Sequence, residues 1–230
     1  MRQIYGNPVR NGPESRLVLD FLSNIVAIEG TGLSESIFIE YRLENSIPDV
    51  IIVHWDPKIA ENWSSQRRLL RAVDYRLVHL LFIEGSLTAE QLDRFFPINL
   101  PRMLKRLYSA GLIVEENRAW RLKPLEEIFA VKRILTVEAK LSSSTRVLEQ
   151  ALLNTLFSSE SYVLTQSASP MSKSIRVAHE RGVGVWSYSD GRLSALVAAR
   201  ELPLPQSHVS WMLNDIAWHY AQGIKDGPRS

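Results

Sequence analysis

Residues 50–53, Val-Ile-Ile-Val, are apolar without a break, and Pro48-Asp49 stands directly in front of them. A strand with no polar face has to be covered on both sides, which points to a sheet with helices packed against it. Asp49 therefore sits at the mouth of a buried strand. A carboxylate there gives up hydration and costs several kcal/mol unless a cation or a hydrogen-bond donor meets it. Either Asp49 caps a turn, which Pro48 favours, or it belongs to a site.

The segments upstream give this strand its setting. Residues 13–25 read as a helix, with Pro13 in the first turn and Leu17, Phe21, Leu22 and Ile25 at helical spacing. Residues 36–44 alternate as a strand does: Ile37, Ile39, Tyr41 and Leu43 share one face, and Phe38, Glu40, Arg42 and Glu44 the other. Asn45-Ser46 then turns the chain into the apolar strand, which makes a helix followed by a hairpin.

A connecting loop leads to a different unit. Residues 66–85 read as one helix ended by Gly85, and residues 87–96 as a second, with Thr88 as N-cap and Gln91 in the capping-box position. Residues 99–112 make a third, closed by Gly111, and residues 112–122 add two short strands around Glu116-Asn117. Three helices and a hairpin in this order describe a winged helix-turn-helix, expected over residues 63–123. Residues 66–123 hold eleven Lys/Arg against six Asp/Glu, a net of +5, while the remainder holds sixteen against nineteen, a net of −3. A basic middle in a mildly acidic frame is either a polyanion-binding unit or a basic solvated surface.

After Pro124 the first pattern resumes. Strands are expected at 133–142 and 161–167, helices at 144–160 and 172–182, and a hairpin over 183–199 turning at Asp190-Gly191. An amphipathic helix over 207–223 follows the Pro203–Pro205 break. Residues 1–62 and 124–230 then form one mixed α/β body into which the winged helix is inserted.

Val137-Glu138-Ala139-Lys140-Leu141 supplies the partner that Asp49 needs. Period-two geometry puts Glu138 and Lys140 on one face of a strand, with Val137, Ala139 and Leu141 on the other. Two carboxylates projecting together bind a hard divalent cation such as Mg²⁺ through oxygen. Such a cation orients water and neutralises charge developing on a phosphate, and an adjacent ammonium stabilises the pentacovalent phosphorus. The plainer alternative is that Asp49 ends a turn while Glu138 and Lys140 form an exposed pair.

Pro48-Asp49 followed by Glu138-Ala139-Lys140 resembles the signature of the PD-(D/E)XK nuclease superfamily, and the order helix, hairpin, strand, helix, strand resembles that superfamily's core. The resemblance covers residues 13–53 and about 132–200. It implies a restriction-endonuclease-like sheet, Asp49 and Glu138 as ligands of Mg²⁺ (or Mn²⁺), and Lys140 as the catalytic lysine. It also matches Glu14 to an acidic residue that completes the metal site in some branches, and Gln150 to a glutamine that several branches keep near the active site. Two features depart from the pattern. Asp49 and Glu138 are 89 residues apart, a distance that the inserted unit accounts for, and Asn154 stands where branches with that glutamine often carry a tyrosine.

In the third helix of the insert, Arg102, Lys105 and Arg106 fall on one side and Met103, Leu104 and Leu107 on the other, as a helix laid in a major groove requires. Asn99 either reaches a base edge or caps the helix, and Arg118 and Arg121 on the wing are placed for phosphates. A protein-docking role for the winged helix is the alternative. The chain contains no cysteine, which removes thiolate chemistry and cysteine-based metal sites and fits a reducing cytoplasm. No histidine pair has zinc-hydrolase spacing, no glycine-rich loop is followed by Lys-Ser/Thr, and no apolar run is long enough to span a bilayer.

The expectation is thus a Mg²⁺-dependent deoxyribonuclease whose inserted winged helix binds DNA, with no membrane and no nucleoside triphosphate involved. Cutting both strands with one site per chain favours a homodimer, and the C-terminal helix is a candidate contact. The alternatives are a catalytically inactive, nuclease-like DNA-binding regulator, and a subunit whose winged helix docks a protein partner.

Overall fold

The structure, a computed structural model, describes residues 1–6, 12–25, 31–44, 46–142, 145–167 and 173–224. The chain begins with β1 (Arg2–Tyr5), α1 (Pro13–Asn24), β2 (Ser34–Ile39) and β3 (Val50–Trp55). Its middle contains α2 (Pro57–Ala60), a 3-10 helix (Ser65–Leu69), α3 (Ala72–Glu84), β4 (Ser86–Thr88), α4 (Ala89–Asp93), α5 (Leu100–Ser109), β5 (Ile113–Glu116), β6 (Ala119–Leu122) and α6 (Leu125–Ile128). It closes with β7 (Val131–Ser142), α7 (Thr145–Asn154), β8 (Glu160–Ser167), α8 (Lys173–Arg181), β9 (Gly184–Ser189), β10 (Arg192–Val197) and α9 (His208–Ala221). Packing divides these into two units, Met1–His54 with Lys132–Gln206 and Trp55–Val131 with Ser207–Ser230.

The first unit is mixed α/β. Its seven-stranded sheet runs β1-β2-β3-β7-β8-β9-β10; β1 pairs with β2, and β7, β8 and β9 pair in succession, all in parallel, while β10 returns antiparallel to β9. All six residues of β3 are buried, as its apolar run requires. On one face Leu17, Phe21 and Leu22 of α1 pack on Ile37, Val50, Ile52, Val137, Ala139 and Leu164. On the other, Val147 and Ala151 of α7 and Ile175 and Ala178 of α8 meet Val163 and Val185. Each fully buried Leu or Phe contributes about 1.5–3 kcal/mol relative to exposure. The alternation along β7 and β8 thus decides which helix each residue meets. Strand β1 carries no alternation strong enough to announce it; its pairing with β2 creates it.

The second unit joins α3, α4 and α5 to a three-stranded sheet in the order β4-β6-β5, with β6 antiparallel to both neighbours. Thr88 caps α4 through a capping box with Gln91, as the sequence anticipates. The β5–β6 turn places Asn117 and Arg118 at φ 52° and 64°, the paired left-handed geometry of a tight hairpin.

Two expectations are corrected here. The helix expected over 66–85 breaks at Leu70-Arg71 into the 3-10 turn and α3. Periodicity treats Arg67 as a surface position, but Arg67 is 1% exposed. It donates to Asp215 Oδ1 at 2.7 Å and to the Ile128 carbonyl at 2.9 Å, and its guanidinium lies 3.5 Å from the Trp63 ring centroid. Asp74 then restarts the helix by accepting from the Arg71 backbone N–H at 2.8 Å.

The second correction concerns α9, expected to belong to the first body and to offer a dimer contact. Ser210 through His219 are all buried, and α9 packs with α3 in the second unit. Trp211 meets Phe82 and Phe129, and Trp218 meets Trp63. Every side of α9 over this stretch is committed within the chain, so it presents no apolar face to a second copy.

Candidate functional site

The alternation of β7 determines the site. Val137 and Ala139 point to α1, so Glu138 points to the opposite face, where α7 lies, and is 3% exposed. Asp49 precedes β3, the neighbour of β7, and its Oδ2 accepts the Ala139 backbone N–H at 2.7 Å. Asp49 is therefore held beside the one residue that separates Glu138 from Lys140. Glu138 Oε1 accepts from Asn154 Nδ2 at 2.7 Å, and Asn154 Oδ1 accepts from Ser46 Oγ at 2.8 Å. Lys140 reaches the start of α1, where its Nζ contacts Glu14 Oε2 at 2.8 Å.

Burial dominates the electrostatics. Desolvation pushes Glu138 up to about 7; the Asn154 hydrogen bond opposes this, the Asp49 charge adds to it, and Lys140 lowers it. Asp49 is also raised, first by desolvation, against the Ala139 N–H and Lys140, while Glu40 and Glu14 push it further up. Glu138 thus feels the Asp49 charge, and both carboxylates feel Lys140. Added positive charge favours the ionised form of each carboxylate.

Beside this group lies a cavity of about 480 Å³, with Glu14, Glu40, Asp49, Ala139 and Lys140 on its wall. Glu138 is not on that wall; its carboxylate is committed to Asn154. Among the described residues, no three His, Cys, Asp or Glu side chains are grouped to hold a metal ion. The three-carboxylate set of Asp49, Glu138 and Glu14 is therefore not assembled. Glu14 pairs with Lys140 instead, because an acid in the first turn of α1 lies within reach of a four-carbon stem. Of the other two, Asp49 stands on the cavity wall with its Oδ2 on the Ala139 N–H, and Glu138 is held by Asn154; Mg²⁺ is usually held by one or two carboxylates completed by water and phosphate oxygens.

The side-chain Oε1 of Gln150 is buried without a hydrogen-bond partner. Asn154, one helical turn further along α7, is the amide that contacts Glu138. Its signal was available: an amide at i+4 on the same helix face as Gln150, in a segment aligned with β7. Nothing in the sequence marked Ser46 as its partner.

The basic residues of the second unit separate into two kinds. Arg102, Lys105 and Arg118 are exposed. Arg106 is not available in the same way, because its Nε and Nη2 contact Asp74 at 2.8 and 2.6 Å, fastening α5 to α3. Arg121 lies across the hairpin on Glu116, at 2.8 and 2.5 Å. Asn99 begins α5 in the left-handed region at φ 66° with no side-chain cap, so the capping role is not filled.

Among the described residues, no helix is long and apolar enough to cross a membrane. Comparison with family models, with curated proteins and with solved structures finds no match to this chain.

Proposed function

We propose that this chain is a divalent-cation-dependent phosphodiesterase acting on DNA, with a nuclease-like first unit and a winged helix-turn-helix in the second. The observation that carries the reading is the tie between Asp49 and Ala139, which brings a second carboxylate to the strand that carries Glu138 and Lys140. Mg²⁺ or Mn²⁺, when bound by Asp49 and Glu138, supplies neutralisation of phosphate charge. The chain's own groups supply the rest. Asp49 and Glu138 present oxygens from adjacent strands. Lys140, half-exposed at the cavity, exchanges Glu14 for a phosphate oxygen and stabilises negative charge there. Arg102 and Lys105 on α5 and Arg118 on the hairpin hold the phosphate backbone, and Asn99 faces a base edge.

Incubation of purified protein with supercoiled plasmid and Mg²⁺ tests the reading. Cleavage that EDTA abolishes, and that Asp49→Ala loses, supports it; an inert wild-type protein with both Mg²⁺ and Mn²⁺ overturns it.

A second reading has its own observation. Glu138 is held by Asn154 away from the cavity wall, and Lys140 is neutralised by Glu14. A non-catalytic DNA-binding protein built on the same scaffold accounts for both, and it predicts footprinting without cleavage and no response to Mg²⁺.

A further inference from the structure

Asn154 is fully buried at the end of α7, and its backbone is fixed there. Its carbonyl accepts from the N–H groups of Phe157 and Ser158 and from Ser158 Oγ at 2.8 Å. The side chain has two further partners, and their chemistry sets its orientation. The amide NH₂ only donates and its carbonyl only accepts, so Nδ2 meets a Glu138 carboxyl oxygen and Oδ1 accepts the Ser46 hydroxyl. Ser46 lies three residues before Asp49, and its carbonyl accepts from the Leu43 N–H at 2.9 Å. The segment that carries Asp49 is therefore tied to β7 twice, directly through Ala139 N–H and indirectly through Asn154. Both ties span the same gap.

We propose that Ser46 and Asn154 form a positioning relay that presets the Glu138 carboxylate relative to Asp49 before a divalent cation arrives. The proposal rests on the two-carboxylate reading of the site. A rotamer held by a buried amide loses less freedom on binding than a free one, so the relay acts on cation affinity through preorganisation. Neither residue touches the cation or the substrate. An amide that only filled space in the core would leave Ser46, a half-buried loop residue, without effect on the site.

Calorimetric titration of the full chain with Mn²⁺ tests this, using Ser46→Ala, Asn154→Leu and the double variant, each with wild-type circular dichroism. Ser46→Ala is expected to weaken binding about threefold and Asn154→Leu about tenfold, with the double variant no weaker than Asn154→Leu because Ser46 acts only through Asn154. Additive losses, or wild-type affinity in Ser46→Ala, overturn the relay. A wild-type chain that takes up no Mn²⁺ overturns the cation reading, and the relay is then decided by exchange of the Asn154 side-chain amide protons in NMR. Exchange at least about tenfold faster in Ser46→Ala supports it, since the bonded amide must open to exchange; equal rates sink it.

Discussion

Asp49 Oδ2 accepts the backbone N–H of Ala139 at 2.7 Å, which joins the residue before β3 to a position 90 residues on, inside the neighbouring β7. The bond holds the Asp49 carboxylate at the one residue of β7 that separates Glu138 from Lys140. It also answers why a carboxylate stands before a buried strand: a backbone donor offsets part of its lost hydration, and Lys140 offsets more.

Lys140→Ala is expected to reduce plasmid cleavage by about 10²–10³-fold, the loss typical of removing one preorganised donor from developing charge. Its pair with Glu14 is a third to a half exposed, so unfolding stability should change by less than about 1 kcal/mol. Cleavage rates and urea denaturation on the same preparation separate the two effects.

Stability of the cation-free protein should fall as pH rises from about 4.5 to about 7. Burial raises Glu138 from 4.5 to about 7, so the folded chain keeps a proton that the unfolded chain releases across this window. The contribution is fully present below the unfolded value and lost as pH passes the folded one, a change on the order of 2–3 kcal/mol. Asp49, also raised, adds in the same direction. Urea denaturation at pH 5 and pH 8 reads the slope, and Glu138→Gln should flatten most of it.

Asp215→Ala should destabilise the protein by about 3–5 kcal/mol, because it strands the buried Arg67 charge. Asp215 receives both Arg67 Nη1 at 2.7 Å and the Tyr75 hydroxyl at 2.9 Å. Thermal unfolding followed by near-UV circular dichroism, which reports Trp63 and Trp211, is the measurement.

Arg102→Ala and Lys105→Ala should each weaken DNA binding and lower the salt slope by about one unit, as loss of one phosphate contact does. Arg106→Ala should act differently. It removes the clamp on Asp74, so its main effect is on stability, with no separate change in salt dependence. Fluorescence anisotropy across a salt series distinguishes the two.

The candidate residues were legible to different degrees. The side taken by Glu138 follows from period two along β7, but Lys140, expected on the same face, reaches Glu14 at the start of α1 while Glu138 meets Asn154 of α7. Gln150 and Glu14 illustrate the limit. Both have the right chemistry in the right element, yet the side-chain Oε1 of Gln150 is buried without a partner and Glu14 is paired with Lys140. Arg106 and Arg121 likewise look like free cations in a helical and a strand pattern, and each has an acidic partner that is set by packing.

By itself the sequence determined the strands and helices whose apolar spacing is regular, the capping of α4, the tight hairpin turns, the strand position of Glu138 and the place of Asp49 directly before β3. These follow from backbone geometry that acts within a few residues. Only the tertiary structure decided that Arg67 turns inward and breaks a helix, that α9 joins the second unit, and that Asn154 and Ser46 hold Glu138. Each of those depends on a polar group meeting its one partner from a distant part of the chain, and hydrogen-bond geometry of that kind leaves no period in the sequence.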